Sequence, residues 1–399
     1  MVGSRDMSLK FRRTFFYLYI GLFLLVAPLV VLYTAGYRLD VQRGRLVQIG
    51  ALSVTSVPKG AQVFLDDAEL SDRTPTLQKR ILPGTYHLRL NKEGYKPWER
   101  EVEIKSKQTT IVEGVELFLD LAPEMITPIA ASVSVGSTNG LVAYAIAADQ
   151  WFELWIYNPT NGDFTLLDRL SSAKIGEPQL HWSHDNYLLI LSDAKNGKTE
   201  QRFYTSNGPL SSVPAWFAPF ALAPEGEQSA LTRSRSQTVE TIALLPKNNY
   251  QISDVFNNWV VIQDNEQERL ILIDSDTQGP PILLNAAAKF YRWQESSILY
   301  SDGFELHRYN PSTNSDTLIT RSSSQMTDVI PLADSQTLVI TTSTQTAAID
   351  ISDISRPVNT VIVSADKIQS FWLDPRGRTG YFFGIVNGLA GLYKIALTR

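Results

Sequence analysis

The sequence predicts a mainly β protein: an N-terminal transmembrane helix, a small antiparallel β-sandwich, and a β-propeller of about seven four-stranded blades. Three observations carry that prediction. Residues 14–36 hold an apolar run without a charge, apolar and polar residues alternate with period two from Leu52 onward, and phrases recur beyond Met125 at a spacing of about 38 residues.

The apolar run from Phe15 to Tyr33 rises 1.5 Å per residue as a helix, so it covers roughly 30 Å, the thickness of a bilayer's hydrocarbon core. Tyr17 and Tyr19 at one end and Tyr33 and Tyr37 at the other fall where amphipathic rings favour the headgroup layers. Pro28 is expected to kink the helix, since in lipid neighbouring groups re-satisfy the carbonyl it frees. A cleaved signal peptide cut near Thr34-Ala35-Gly36 is the alternative, but the run is longer than the roughly 7–15 residues of an h-region, so an uncleaved anchor is expected. Arg5, Lys10, Arg12 and Arg13 precede the span, and Arg38, Arg43 and Arg45 follow it. A very long following domain translocates largely regardless of its own charge, so the basic tail of residues 1–13 is expected in the cytoplasm and the body outside it.

Composition narrows the partners. The net charge of -5, from 36 Lys and Arg against 41 Asp and Glu, gives no basic field for nucleic acid. Cysteine is absent, which excludes disulfides, thiol catalysis and cysteine-ligated metal.

After a spacer at 37–49, the alternation begins. Leu52, Val54 and Ser56 alternate with Ser53 and Thr55, Ala61, Val63 and Leu65 with Gln62 and Phe64, and Tyr86, Leu88 and Leu90 with His87 and Arg89. Pro58-Lys59-Gly60, Asp66-Asp67 and Leu82-Pro83-Gly84 punctuate these runs as turns, with Gly60 and Gly84 expected at positive φ. Val102 with Ile104 and Ile111 with Val112 add two strands, which makes an antiparallel sandwich over 50–118. Ser56 to Asp66, Thr74-Pro75, Leu82 to Tyr86, and Gly94-Tyr95 with Trp98 together resemble the PEGA domain. Lys59 stands where the namesake motif has glutamate, at a position expected to face solvent. The resemblance implies a non-catalytic module of prokaryotic envelope proteins in which Pro58, Lys59, Gly60, Ala61, Pro83, Gly84, Gly94 and Tyr95 are structural.

The remainder, 119–399, is organised by repetition. Glu153-Leu154-Trp155-Ile156-Tyr157-Asn158-Pro159 recurs as Glu305-Leu306-His307-Arg308-Tyr309-Asn310-Pro311, 152 positions on. Trp182 to Asn186, Leu222 to Gly226 and Leu373 to Gly377 share a second phase, with Trp293 at the equivalent place. Each unit reads as strand, two-residue turn such as Asp185-Asn186, second strand, third strand such as Leu270 to Ile273, and a more polar fourth such as Thr317 to Ile319. These phrases resemble TolB-type and tryptophan-aspartate-repeat propellers. The last unit ends after its third strand, and Met125 to Ile129 is expected to supply its fourth, closing the ring.

Chemistry is sparse. No Gly-rich phosphate loop, no Gly-x-Ser-x-Gly elbow and no His-Glu-x-x-His helix is present. His181 and His184 beside Asp185 are the nearest approach to metal ligands, but they sit at a strand end and turn and lack further ligands, so neither metal nor cofactor is expected. Trp155, Trp182, Trp216, Trp259, Trp293 and Trp372 recur at blade-like spacing, which assigns them to packing between blades. Among them Trp182, Trp216, Trp293 and Trp372 are the candidates for a ligand platform. The expectation is a non-enzymatic envelope protein binding the bilayer through 14–36 and a protein or polysaccharide through its propeller. An extracytoplasmic hydrolase acting on glycan or peptide is the alternative. Replacing Leu24 with arginine should impair membrane insertion, because a central charge costs about 2.5–3.5 kcal/mol on insertion scales; an unchanged membrane yield would count against the span.

Overall fold

A computed structural model of the chain describes residues 9–34, 36–40, 44–137, 139–183, 187–193, 199–235, 238–277, 279–332 and 336–398. Arg5, Arg43 and the expected turn residues His184, Asp185 and Asn186 lie outside them. The chain forms two compact units, Met1–Leu117 and Phe118–Arg399.

The first unit starts with a helix, α1 (Leu9–Thr34), with Pro28 inside it. Its stretch Arg12–Thr34 is apolar over 23 residues, and none of it is buried. Phe16, Leu18, Phe23, Leu24 and Leu25 all face outward. The expected spacer is instead a two-stranded hairpin, Tyr37–Asp40 paired with Arg45–Gln48. Gly36 at a φ of 83° turns the chain out of the helix, and its carbonyl accepts from Ile49 N at 3.0 Å.

The sandwich then packs two sheets, one of three strands (Gly50–Val57 between Thr76–Ile81 and Thr109–Glu116) and one of four (Ala68–Glu69, Gln62–Leu65, Gly84–Asn91 and Trp98–Ile104). Leu52, Val54, Ala61, Val63, Leu88, Leu90 and Ile104 fill its core at 1% exposure or less, which is the inward half of the alternation. One pairing departs from the antiparallel expectation: Gly50–Val57 runs parallel to Thr109–Glu116. The motif residues work through a buried hydroxyl chain. Ala61 N donates to Thr74 Oγ1 at 3.0 Å, the Thr74 and Ser56 hydroxyls are 2.5 Å apart, and Ser56 Oγ donates to Pro58 O at 2.8 Å. Because Thr74 Oγ1 accepts from Ala61 and Ser56 donates to Pro58, the Thr74 hydroxyl is the donor to Ser56, so both buried hydroxyls are satisfied. Gly60 sits at a φ of 86° as expected, and Lys59 is exposed. Gly84 does not: it opens its strand in an extended conformation, where an added Cβ would meet only the Tyr86 ring at 3.6 Å.

The second unit is a propeller of seven sheets among the described residues. Their first strands are Val133–Gly136, Gln179–Trp182, Phe220–Glu225, Tyr250–Phe256, Phe290–Gln294, Met326–Pro331 and Lys367–Leu373, in blades 1 to 7. First strands pack on one another between blades 1 and 2, 3 and 4, 5 and 6, 6 and 7, and 7 and 1, and so line the axis. Later strands follow outward as antiparallel meanders. Blade 3 departs from the four-stranded expectation. Its third strand, Thr238–Pro246, leads into blade 4 at Tyr250 with no room for a fourth. The cores lie between blades. Leu154, Ile156, Trp182 and Leu188 join blades 1 and 2, Val261, Leu272, Ile298 and Tyr309 join 4 and 5, and Val339, Ile362, Phe371 and Phe382 join 6 and 7.

The long repeat is a pair of third strands four blades apart. Glu153 pairs across the strand with Arg169 and Glu305 with Arg321, at 3.0 and 2.7 Å. Trp155 Nε1 and His307 Nε2 meet the same glutamates' second oxygens, at 3.2 and 3.3 Å.

The ring closes as the sequence pattern requires. Glu124–Thr127 pairs antiparallel with Leu389–Ala396 and becomes the fourth strand of blade 7, while Leu119 N donates to Leu397 O at 2.8 Å. Gly391 lets the strands approach, since a Cβ there would lie 2.8 Å from Thr127 O. Gly391→Val should therefore destabilise the propeller by about 1–3 kcal/mol, the usual cost of overpacking. Hydrogen exchange should show 124–127 losing protection first; unchanged melting and protection would mean that this strand does not hold the ring.

Candidate functional site

The first strands place five chemistry-bearing side chains about the axis: His181, Asp254, Tyr291, Arg292 and Asp328. Local backbone irregularity sets two of them. Register shifts at Ile252/Asp254 and Met326/Asp328 mark β-bulges, which re-aim a side chain without ending the strand. Each aspartate accepts from the following backbone N–H with its own Oδ1, Val255 at 2.9 Å and Val329 at 2.8 Å. Asp328 then holds Arg292 with both oxygens, Nε to Oδ1 at 2.9 Å and Nη2 to Oδ2 at 2.6 Å. A bidentate pair of this kind is oriented as well as charge-neutralised. His181 and Tyr291 come from blades 2 and 5 and meet across the axis, Nε2 to Oη at 3.3 Å. A further bulge at Ile368/Ser370 sets Ser370 against Ser134, their hydroxyls 2.5 Å apart, at the junction of blades 7 and 1.

Burial governs the electrostatics. It pushes the His181 imidazole below its ordinary range, and Arg292 adds to that against the pull of Asp254 and Asp328. Burial also raises the Tyr291 phenol well above its usual range, with Asp254 contributing. It disfavours the Arg292 charge too, but Asp328 more than offsets this. At neutral pH the cluster is a neutral His-Tyr contact beside a closed Arg-Asp pair.

The expected ligand platform is distributed differently. Trp372 is 1% exposed, sealed between blades 7 and 1 with Tyr144 and Phe383 and lying over Gly136. Trp182 is 8% exposed, and its Nε1 donates to Val135 O at 3.1 Å. Trp293 is half-buried and stacks on Phe256 at 4.6 Å between blades 4 and 5. Trp216, also half-buried, packs edge-on to Phe217 at 5.5 Å. None of the four joins the axial cluster. Of the metal-like trio only His181 is described, and among the described residues no three His, Asp or Glu side chains are placed to hold a metal ion. The sequence reading missed Asp254, Arg292 and Asp328. Their signal was a charge in the middle of an otherwise apolar strand, as in Ile252-Ser253-Asp254-Val255 and Met326-Thr327-Asp328-Val329.

His181 gives the cluster a pH signature. Its folded pKa lies below its unfolded one, so beneath about pH 6.5 the unfolded chain binds more protons and stability rises with pH. The contribution is complete above that value and lost on acidification, by up to about 1.4 kcal/mol per pH unit. Denaturant midpoints of wild type should fall between about pH 7 and about pH 5.5 more steeply than those of His181→Gln. Parallel curves would mean that His181 is not held neutral by the fold.

Residues 49–116 match the PEGA domain family. No curated protein matches the chain. Among solved structures, it is similar to a chain of the mitotic checkpoint complex (16% identity, TM-score 0.45, covering 69% of this chain and 91% of that one). The C-terminal WD40 domain of Sif2 is similar at 13% identity and TM-score 0.42, over 69% of this chain and 99% of that one. The Neurospora crassa Pan2 WD40 domain gives 10% and 0.44, over 68% and 91%. The seven-sheet meander defines the propeller here, and the chain carries an apolar helix, a PEGA domain and that propeller in order.

Proposed function

We propose that this chain is a non-enzymatic cell-envelope protein, anchored by α1 with its short basic tail in the cytoplasm and its propeller presented outside to bind a protein or envelope polysaccharide. The observation that carries the reading is α1 itself. Its 23-residue apolar stretch has no buried portion, and exposed apolar surface of that extent calls for a bilayer around it. Lys10, Arg12 and Arg13 at its start support the orientation.

One observation favours the hydrolase alternative, the convergence of His181, Asp254, Arg292 and Asp328 on the axis. Against it, catalysis needs an acid or base left available to a substrate, whereas both Asp328 oxygens are taken by Arg292 and one also by Val329 N. A cluster spent on its own pairing is better suited to plugging the axis and leaving binding to the loops and seams. Protease added to intact spheroplasts should remove the propeller and leave an anchored fragment. Full protection would invert the orientation, and turnover of glycan or peptide substrates that Asp328→Asn abolishes would replace binding with catalysis.

A further inference from the structure

The seam between blades 4 and 5 holds a cavity of about 500 Å³, away from the axial cluster. Three loops form it: the turn between Tyr250–Phe256 and Trp259–Asp264, the connection from Arg269–Asp274 to Ile282–Ala287, and the blade 5 turn between Glu305–Asn310 and Ser315–Arg321. In a four-stranded meander the first and third turns fall at the same end of the sheet, so the loops of two adjacent blades meet there. The volume is that of a small-molecule site, a class running from about 300 to about 1,000 Å³.

Its walls sort by what their polar atoms already do. Asp274 is occupied: Oδ1 accepts from Asn258 Nδ2 at 2.7 Å and Asp276 N at 2.9 Å, and Oδ2 accepts from Thr277 Oγ1 at 2.8 Å. Asn314 Oδ1 accepts from the Tyr309 hydroxyl at 2.7 Å, which leaves its amide N–H groups over. The Asn258 backbone carbonyl accepts from Ser275 N at 2.8 Å, whereas its side-chain Oδ1, the Ser312 hydroxyl and the Trp259 indole N–H have no hydrogen-bond partner among the described residues. Trp259 is half-buried and packs against the core shared by blades 4 and 5, so its ring is held in place, and Pro280 and Pro311 supply further apolar wall. Among the described residues no Lys or Arg lines the cavity, and its carboxylate, Asp274, is held by Asn258, Asp276 and Thr277. An ionised ligand therefore finds no counter-charge. A fixed indole beside two spare donors, an acceptor and a hydroxyl fits a ligand with an apolar face and a rim of hydroxyls.

We propose that this seam is a subsite for a short neutral saccharide, with Trp259 as the stacking platform and Asn258, Ser312 and Asn314 as hydroxyl partners. The inference rests on the binding reading of the propeller and narrows its ligand to glycan. A peptide is the weaker fit, because the only charged side chain among the described lining residues, Asp274, is already held by its neighbours.

Calorimetric titration of the full chain in detergent micelles with chitotetraose and with maltotetraose tests this. At least one should bind, and Trp259→Phe should weaken it tenfold or more while the thermal midpoint moves little. Asn314→Gly, which keeps the left-handed backbone permitted, should weaken binding as well and guards against a folding defect at Trp259. Binding of neither sugar, unchanged affinity in both variants, or Trp259-dependent binding of decaproline instead would overturn the proposal. Retention on purified peptidoglycan sacculi, compared between wild type and Trp259→Phe, separates the two readings: equal retention removes this seam while leaving a binding propeller in place.

Discussion

The pairing of Glu124–Thr127 with Leu389–Ala396 joins segments more than 260 positions apart, and the propeller's geometry depends on it. Each other blade obtains its strands from consecutive chain, so its internal pairing is local. Only blade 7 must wait for both ends of the unit. Without that strand its outer edge would be unpaired, and exposed edges invite association with other chains. The neighbouring seam between blades 7 and 1 is packed with aromatics: Trp372 on Tyr381 at 6.1 Å, Tyr144 on Phe383 at 5.0 Å and Tyr157 on Tyr381 at 6.0 Å. Apolar burial and backbone pairing thus reinforce each other where closure costs the most chain entropy.

Closure has a consequence at the axis. Seven first strands arranged around one line bring side chains from distant blades within reach, which is how His181 meets Tyr291. Charges so placed are costly unless paired. The bulges at Asp254 and Asp328 answer this by giving each carboxylate a backbone donor, and Arg292 completes the Asp328 pair. With Asp328 and Arg292 paired to each other, the binding reading rests on the seams and loops rather than on the axis.

How much was legible in the sequence follows from the range of the contacts involved. The sandwich strands are buried on one face, so Leu52, Val54, Leu88 and Leu90 announced themselves by alternation. The spacing of Glu153 and Glu305 gave the blade period, since equivalent strands demand equivalent residues. The parallel pairing of Gly50–Val57 with Thr109–Glu116 was hidden, because both strands show the same pattern whichever way they run. Gly84 was misread for a related reason: a glycine after proline suits a turn at positive φ or an extended strand start, and only the surrounding sheet decides. The three-stranded blade 3 was masked by an averaged period, although three residues between Pro246 and Tyr250 cannot hold a strand.

The tryptophans show where pattern reasoning stops. Trp182, Trp293 and Trp372 lie toward the end of first strands, where neighbouring blades converge most closely, so each is drawn into a seam. Trp259 opens a second strand, one position after a turn. From there it packs against the core between blades 4 and 5 while also lining the cavity. In the sequence all are indoles at blade-like spacing. What separates a packing tryptophan from an available one is the offset within the strand and the loops the next blade brings alongside, here Pro311 to Asn314 from more than 50 positions away.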